Sequence, residues 1–344
     1  MMGAPAFWRD DGLPARALLP LATLYGALAR RRLGAIGPDP GLPTIVVGGL
    51  TIGGDGKTPL VLVLAHMLQK SGARPFVLAR GYGRMRGGVR TPVLVDPDRH
   101  DVDAVGDEAR LLSRAAPTII GPDRVAAASL ARRLGATVLL LDDGFHSRAL
   151  RPDVALLVVD AVYGAGNGRC LPAGPLRAPL AAQLAAADVI VLIGDAAAGA
   201  AIARTAGKPV LRASIEPELT AAAALAGARV VAFAGIGRPE KFFGSLADIG
   251  ATVAATRAFP DHHRFSRQDL AALQGLAAAH NARLVTTEKD AARLDARDKI
   301  ATLPVRLAFD TGDAGKLRRL LAAFISGTTV RNSAFTEVRN AEEE

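Results

Sequence analysis

The stretch of this chain best suited to chemistry is GGDGKT (53–58). It follows an apolar run, TIVVGG (44–49), and precedes PLVLVLAHMLQK (59–70), whose composition is that of a helix. Strand, glycine-rich turn and helix start together make a phosphate cradle. Glycines let the backbone wrap an anion closely, and the free N–H groups of the helix N-terminus point at it. On this reading Gly53, Gly54, Asp55 and Gly56 form the cradle, Lys57 reaches the β- and γ-phosphate oxygens, and the Thr58 hydroxyl ligates Mg²⁺. The full pattern G-x-x-x-x-G-K-[ST] asks for glycine at position 51, where this chain has Thr51. That changes the start of the loop and leaves its phosphate-wrapping end intact.

A second signal begins 80 residues after Lys57: TVLLLDDGF (137–145), an apolar strand ending in Asp142 and Asp143. A carboxylate at that place in a P-loop sheet holds Mg²⁺ or its water, and ligands in such sheets gather at the carboxyl ends of the strands. Guanine recognition asks for an N/T-K-x-D element; TEKD (287–290) has the wrong spacing, so ATP is the expected nucleotide. Other stretches bear on the acceptor. RGYGRMRGG (80–88) offers Arg80, Arg84 and Arg86 to a phosphorylated substrate, and equally suits a solvated basic loop. Asp107 and Glu108 in VGDEA (105–109) read alone as helix caps. Arg124 follows a short strand in GPDRV (121–125), and FPDHHRF (259–265) places Asp261, His262 and His263 in one loop. Two adjacent histidines do not make a metal site without further ligands.

These residues need a parallel sheet to position them. Eleven apolar runs alternate with Ala/Leu-rich helical stretches, as expected for a parallel sheet covered on both faces. The expectation is an α/β chain: a P-loop NTPase-type parallel-sheet domain over 36–150 and a second, smaller α/β domain over 151–327. A frayed tail over 328–344 follows. Residues 161–180, rich in Gly and Pro, form a long loop of the kind that carries function. The chain of 344 residues has ample core for two domains. Its formal charge of +9 attracts anions in general. The single cysteine, Cys170, excludes an internal disulfide and reads as a small buried hydrophobe. The apolar segment 18–37 is interrupted by Pro20 and too short to span a bilayer. Ending in Arg30, Arg31 and Arg32, it suits an interfacial helix with Phe7 and Trp8 as anchors. It suits equally a helix packed on the domain, whose basic end complements its dipole.

Taken in order, GGDGKTP, RGYGR, VGDEA, DDGF, LPAGPLR, VAFAGIGRPEKFF and VTTEKD resemble the tetraacyldisaccharide 4'-kinase (lipid A 4'-kinase) family over about residues 7–310. The resemblance implies ATP- and Mg²⁺-dependent phosphorylation of the 4'-hydroxyl of a tetraacylated glucosamine disaccharide 1-phosphate, giving lipid IV-A. It places the enzyme peripherally on the cytoplasmic face of the inner membrane of a Gram-negative bacterium. Residues 1–35 would form the membrane-interface helix, and no nucleic-acid partner is expected. It implies Lys57 and Thr58 for phosphate and Mg²⁺, and Asp107 as general base with His262 as its partner. Glu108 and Asp143 would lie near the metal, and Arg80, Arg124 and Arg177 are basic residues of the cleft. Family members carry Ser or Thr where Thr51 stands. Three positions depart from the family pattern: His146 and Ser147 in place of Gln-His, Ala178 in place of an acid, and Ala109 in place of Pro. With Asp107 and His262 in different expected domains, the pair would form only on closure. Two other classes share a GG-x-GKT loop: a GTPase or metal-cofactor loader, and a non-catalytic nucleotide-binding module at a membrane.

Overall fold

The structure, a computed structural model, describes residues 5–81, 91–294, 298 and 300–326. Among the described residues thirteen strands follow in chain order. They are β1 (Thr44–Gly49), β2 (Pro75–Ala79), β3 (Val93–Leu94), β4 (Thr118–Ile120), β5 (Val138–Leu141), β6 (Val154–Asp160), β7 (Val189–Ile193), β8 (Val210–Pro217), β9 (Arg229–Ala234), β10 (Thr252–Ala258), β11 (Arg283–Thr287), β12 (Ala301–Leu303) and β13 (Val305–Phe309). Every apolar run expected to be a strand is one; β3 and β12, of two and three residues, are too short to show a pattern.

Nine strands form one sheet in the order β13-β8-β7-β6-β1-β5-β2-β4-β3, and the other four form β10-β9-β11-β12. All neighbours are parallel except β13 with β8 and β3 with β4, at the two edges of the large sheet. β1 is buried along its whole length, and its alternate residues feed two cores. Ile45 and Val47 pack with Leu60, Leu64 and Leu68 of the helix Lys57–Lys70, while Val46 packs with Leu33, Leu139 and Phe145 on the other face. A third core, with Val230, Ala232, Phe242, Leu246 and Val285, belongs to the small sheet.

The sheets correct the expected boundary at 150. β6, β7 and β8 extend the P-loop sheet beyond β1, and β13 returns to it alongside β8. The helix Thr311–Ile325 then packs Leu317, Leu320, Leu321 and Phe324 into the first core. The small domain is therefore an insertion between β8 and β13, roughly 218–304, not the whole of 151–327. The chain leaves and returns through an antiparallel pair, with Val305 opposite Pro217 and Glu218 N donating to Pro304 O at 2.9 Å. The expected tail, 328–344, lies outside the described residues, as does 82–90 with Arg84 and Arg86.

The helix Leu19–Leu33 buries Ala22, Gly26 and Leu33 and turns Leu21, Leu24, Tyr25 and Leu28 outward. The exposed four share one face at helical spacing, and Arg30, Arg31 and Arg32 close the last turn. No helix among the described residues is long and apolar enough to cross a membrane. Trp8 is not a free anchor. Its indole N–H donates to Pro172 O at 3.0 Å, which fastens the N-terminal segment to the 161–179 loop.

Candidate functional site

The glycine loop begins where β1 ends. Gly56 caps the helix Lys57–Lys70 at φ +89°, and a Cβ there would meet Ile193 Cδ1 at 2.5 Å, so only glycine makes this turn. Thr51 is buried, and its position has a specific use. Its hydroxyl donates to Asp55 Oδ1 at 2.8 Å and its N–H to Asp55 Oδ2 at 3.1 Å, tying the loop's two limbs together. Asp55 therefore spends its carboxylate inside the loop, leaving only its backbone for an anion.

β5 lies beside β1 with Ile45 opposite Leu140, which brings the carboxyl end of β5 next to the glycine loop. The two aspartates there differ. Asp143, at φ +53°, accepts at Oδ1 from Arg177 Nη1 at 2.5 Å. Burial would raise its pKa, but Arg177 and Lys57 hold it below the ordinary carboxylate value. Asp142 is buried, and its Oδ1 has no hydrogen-bond partner among the described residues. Burial first, then Glu108 and Asp143, raise Asp142 to about 7, against the opposing charges of Lys57 and Arg124. An orphaned carboxylate oxygen close to Lys57 fits a hard divalent cation. No three His, Cys, Asp or Glu side chains converge as a complete cage among the described residues. Mg²⁺ held chiefly by nucleotide phosphates needs only one or two protein carboxylates.

The small domain supplies the other wall from the carboxyl ends of its strands. His262, in the loop after β10, sits at φ +61°, a strained value for a residue with a side chain. Its Nδ1 lies 3.0 Å from Asp107 Oδ2. Lys289 Nζ, a donor only, is 3.4 Å from Nε2, so the neutral ring carries its proton on Nδ1 and gives it to Asp107. Lys289 also binds Glu108 at 3.0 Å. Arg293 donates through Nε (2.9 Å) and Nη2 to Asp107 Oδ2, and through Nη1 to Gly235 O, His263 O and Asp290 Oδ1. Burial would raise the Asp107 carboxyl; His262, Lys289 and Arg293 overcome it and hold the group well below the ordinary range. A cavity of about 270 Å³ opens on this cluster, lined by Val102, Asp107, His262 and Phe265 among others.

A second cross-domain contact lies at the glycine loop itself. Arg238, buried, donates to Asp55 (2.9 Å), Thr51 Oγ1 (3.1 Å) and Asp160, and lies 4.1 Å from the Tyr163 ring. Lys241 also binds Asp160. Burial would raise Asp160, but Arg238 and Lys241 lower it. Arg238→Ala leaves two buried carboxylates without their guanidinium and is expected to cost about 3–5 kcal/mol, read as a lower midpoint in denaturant. The sign with pH follows from the lowered Asp160. Its contribution is complete above the unfolded value of about 4 and is lost as pH falls through the lower folded value. Arg238→Ala should flatten that acid-side loss in melts run across a pH series.

Of the residues singled out by sequence, Lys57, Glu108, Asp142, Asp143 and Arg177 act electrostatically on the β5 aspartates, Thr58 follows Lys57 on its helix, and Asp107, next to Glu108, meets His262. The Asp107–His262 contact is already made in this structure. Arg80 stands exposed just past β2. Arg124 departs from the expectation of a substrate contact: it is buried, and its Nη1 donates to Ala79 O at 2.6 Å. His146 is held by Gln183 Oε1 at 2.8 Å, and burial first, then Arg177, lower it to about 4. The Ser147 hydroxyl caps Gly144 O, and Ala178 is fully buried. Sequence reading missed Arg238, Lys241, Lys289 and Arg293 as site residues. Each follows a strand's carboxyl end in GIGRPEK or TTEKDAAR, and that placement was the available signal.

A glycine loop after β1, an unmet carboxylate after β5, and a carboxylate, Asp107, paired across the domain junction with an imidazole of the inserted domain are features of a P-loop phosphotransferase. Residues 14–326 match the family model described as LpxK: Tetraacyldisaccharide-1-P 4'-kinase. The tetraacyldisaccharide 4'-kinase of Methylobacterium nodulans is 51% identical over 327 residues, 94% of this chain and 96% of that protein. That of Nitrobacter winogradskyi is 49% identical over 331 residues, covering 93% and 97%. The solved structure of LpxK from Aquifex aeolicus, an "apo" form in complex with ATP, is similar at TM-score 0.69 and 25% identity, over 90% of this chain and 99% of that one. The chain belongs to the tetraacyldisaccharide-1-phosphate 4'-kinase family.

Proposed function

We propose that this kinase transfers the γ-phosphoryl group of ATP to the 4'-hydroxyl of a tetraacylated glucosamine disaccharide 1-phosphate, forming lipid IV-A. The observation that carries the acceptor side is the Asp107–His262 pair, made across the domain junction between the P-loop domain and the inserted domain. A sugar hydroxyl keeps its proton at neutral pH and attacks poorly. Asp107 accepts that proton as the bond to phosphorus forms, and His262 holds the carboxylate in place. Lys57 offsets charge on the β- and γ-phosphates. Thr58 and Asp142 are the residues that would hold Mg²⁺, which, when bound, adds charge neutralisation at the same phosphates. Asp143 and Glu108, each already holding a protein cation, stand behind them. Arg177 and Arg80 are the basic side chains offered to substrate phosphate, whereas Arg124 serves as a fixed charge near Asp142. Transfer of ³²P from ATP to the lipid disaccharide tests the reading. GTP preference, or ATP binding without transfer to any acceptor, would overturn it.

The acceptor is a lipid, and the exposed face Leu21, Leu24, Tyr25 and Leu28, ending in Arg30–Arg32, supports docking at an anionic membrane surface. At about 1 kcal/mol per basic residue near such a surface, replacing all three arginines by alanine should weaken partitioning onto anionic vesicles roughly a hundredfold. Vesicle sedimentation measures this, and binding to neutral vesicles should be unchanged.

A further inference from the structure

Arg293 has no role in the phosphate chemistry above, yet its guanidinium bonds on both sides of the domain junction. On one side Nε and Nη2 both reach Asp107 Oδ2, in the P-loop domain. On the other, Nη1 reaches Gly235 O at 3.3 Å, His263 O at 3.3 Å and Asp290 Oδ1 at 2.9 Å, all in the inserted domain. Those acceptors bracket His262, whose own N–H donates to Gly235 O at 3.1 Å. One guanidinium therefore holds both the loop that carries His262 and the carboxylate that His262 addresses.

The two oxygens of Asp107 are used unequally. Oδ2 receives three donors: His262 Nδ1–H and the Nε–H and Nη2–H of Arg293. Oδ1 receives one, the Glu108 backbone N–H at 2.9 Å. A carboxylate offers about four lone-pair sites over its two oxygens, so Oδ2 is saturated and Oδ1 keeps an acceptor position. We infer that Arg293 is a positioning residue that, with His262, saturates Oδ2 and leaves Oδ1 as the atom that takes the acceptor's proton. The inference rests on Asp107 being the base. In the step, the hydroxyl O–H bond breaks and its proton goes to Oδ1. The electron pair left on that oxygen forms the new O–P bond to the γ-phosphorus. The bond from that phosphorus to the bridging oxygen breaks, and its pair leaves with ADP.

Arg293's fork is planar and spans two domains, so an alternative side chain cannot reproduce it. Arg293→Met is expected to lower kcat about a hundredfold through a displaced carboxylate, with the KM for ATP essentially unchanged. The deciding measurement is the double-mutant cycle with Asp107→Asn in the lipid phosphorylation assay. If Arg293 acts through Asp107, Arg293→Met in the Asp107→Asn background costs no more than about twofold. An equal loss in both backgrounds means a purely structural role and overturns the inference. Arg293→Lys, which keeps the charge and loses the fork, repeats the cycle so that a folding failure of Arg293→Met does not decide the matter. If Asp107→Asn lowers kcat and neither Arg293 variant does, this inference fails and the base assignment stands. If Asp107→Asn retains wild-type kcat, the base assignment fails and this inference with it.

Discussion

Replacing Asp107 by alanine should lower kcat for lipid phosphorylation by about 10²–10⁴-fold, the usual contribution of a positioned general base. ATP affinity should remain within a few-fold, because Asp107 belongs to the acceptor side and Lys57, Thr58 and the glycine loop to the nucleotide side. The size of the effect has a limit on each side. Burial tends to raise the carboxyl, but His262, Lys289 and Arg293 hold it below its ordinary range, which makes it a weak base. A weak base still matters here because the proton leaves only as the hydroxyl oxygen bonds to phosphorus, when its acidity has risen sharply. Removing the carboxylate also leaves the Arg293 guanidinium, buried at 5% exposure, without its main anion. Some loss of thermal stability is therefore expected and is measured separately by melting. A variant that folds, binds ATP and keeps kcat within a few-fold of wild type would remove Asp107 from the mechanism.

Lys57→Ala should be nearly as damaging and differ in kind. Removing a preorganised positive charge from the transferred phosphoryl group typically costs about 10²–10³ in kcat. Lys57 follows directly on Gly56, at the first turn of the helix, and acts on both Asp142 and Asp143. Its removal thus also raises both carboxyl groups. The alanine variant should lose lipid phosphorylation and any background ATP hydrolysis together, whereas Asp107→Ala should lose the transfer and retain the background hydrolysis. Measuring ADP release with and without the lipid acceptor separates the two. Full ADP release by Lys57→Ala would sink the P-loop assignment.

The nucleotide side was largely legible from the residues in order. TIVVGG, GGDGKT and a helix follow within 27 residues, and local backbone preferences suffice to specify such a turn. The strands were legible for the same reason, since buried parallel strands are unbroken apolar runs. Their division between sheets was not. VALLVVD and RVVAFA have the same character, yet the first extends the P-loop sheet and the second founds the inserted one. Apolar periodicity shows that a strand is buried but says nothing about its neighbour. The antiparallel return of β13 onto β8, 88 residues after β8 ends by sequence count, is a matter of chain topology alone.

The same limit explains the charges. Lys289 and Arg293 stand 181 and 186 residues from the carboxylates they hold, and Arg238 stands 183 from Asp55. Read locally, each looks like a solvated cation after a strand. Asp142 and Asp143 are adjacent and chemically identical in sequence. Only the fold gives one of them Arg177 and leaves the other's Oδ1 without a partner. By itself, then, the sequence determined the phosphate loop, the strands and which side chains are capable of acid–base work, because those depend on short-range sterics and apolar patterning. The tertiary structure alone decided which sheet each strand joins, that Thr51 and Asp55 brace the loop against Arg238, and which Asp107 oxygen is saturated. Those outcomes depend on which carboxyl ends of the two sheets come face to face, and no property of a short segment encodes that.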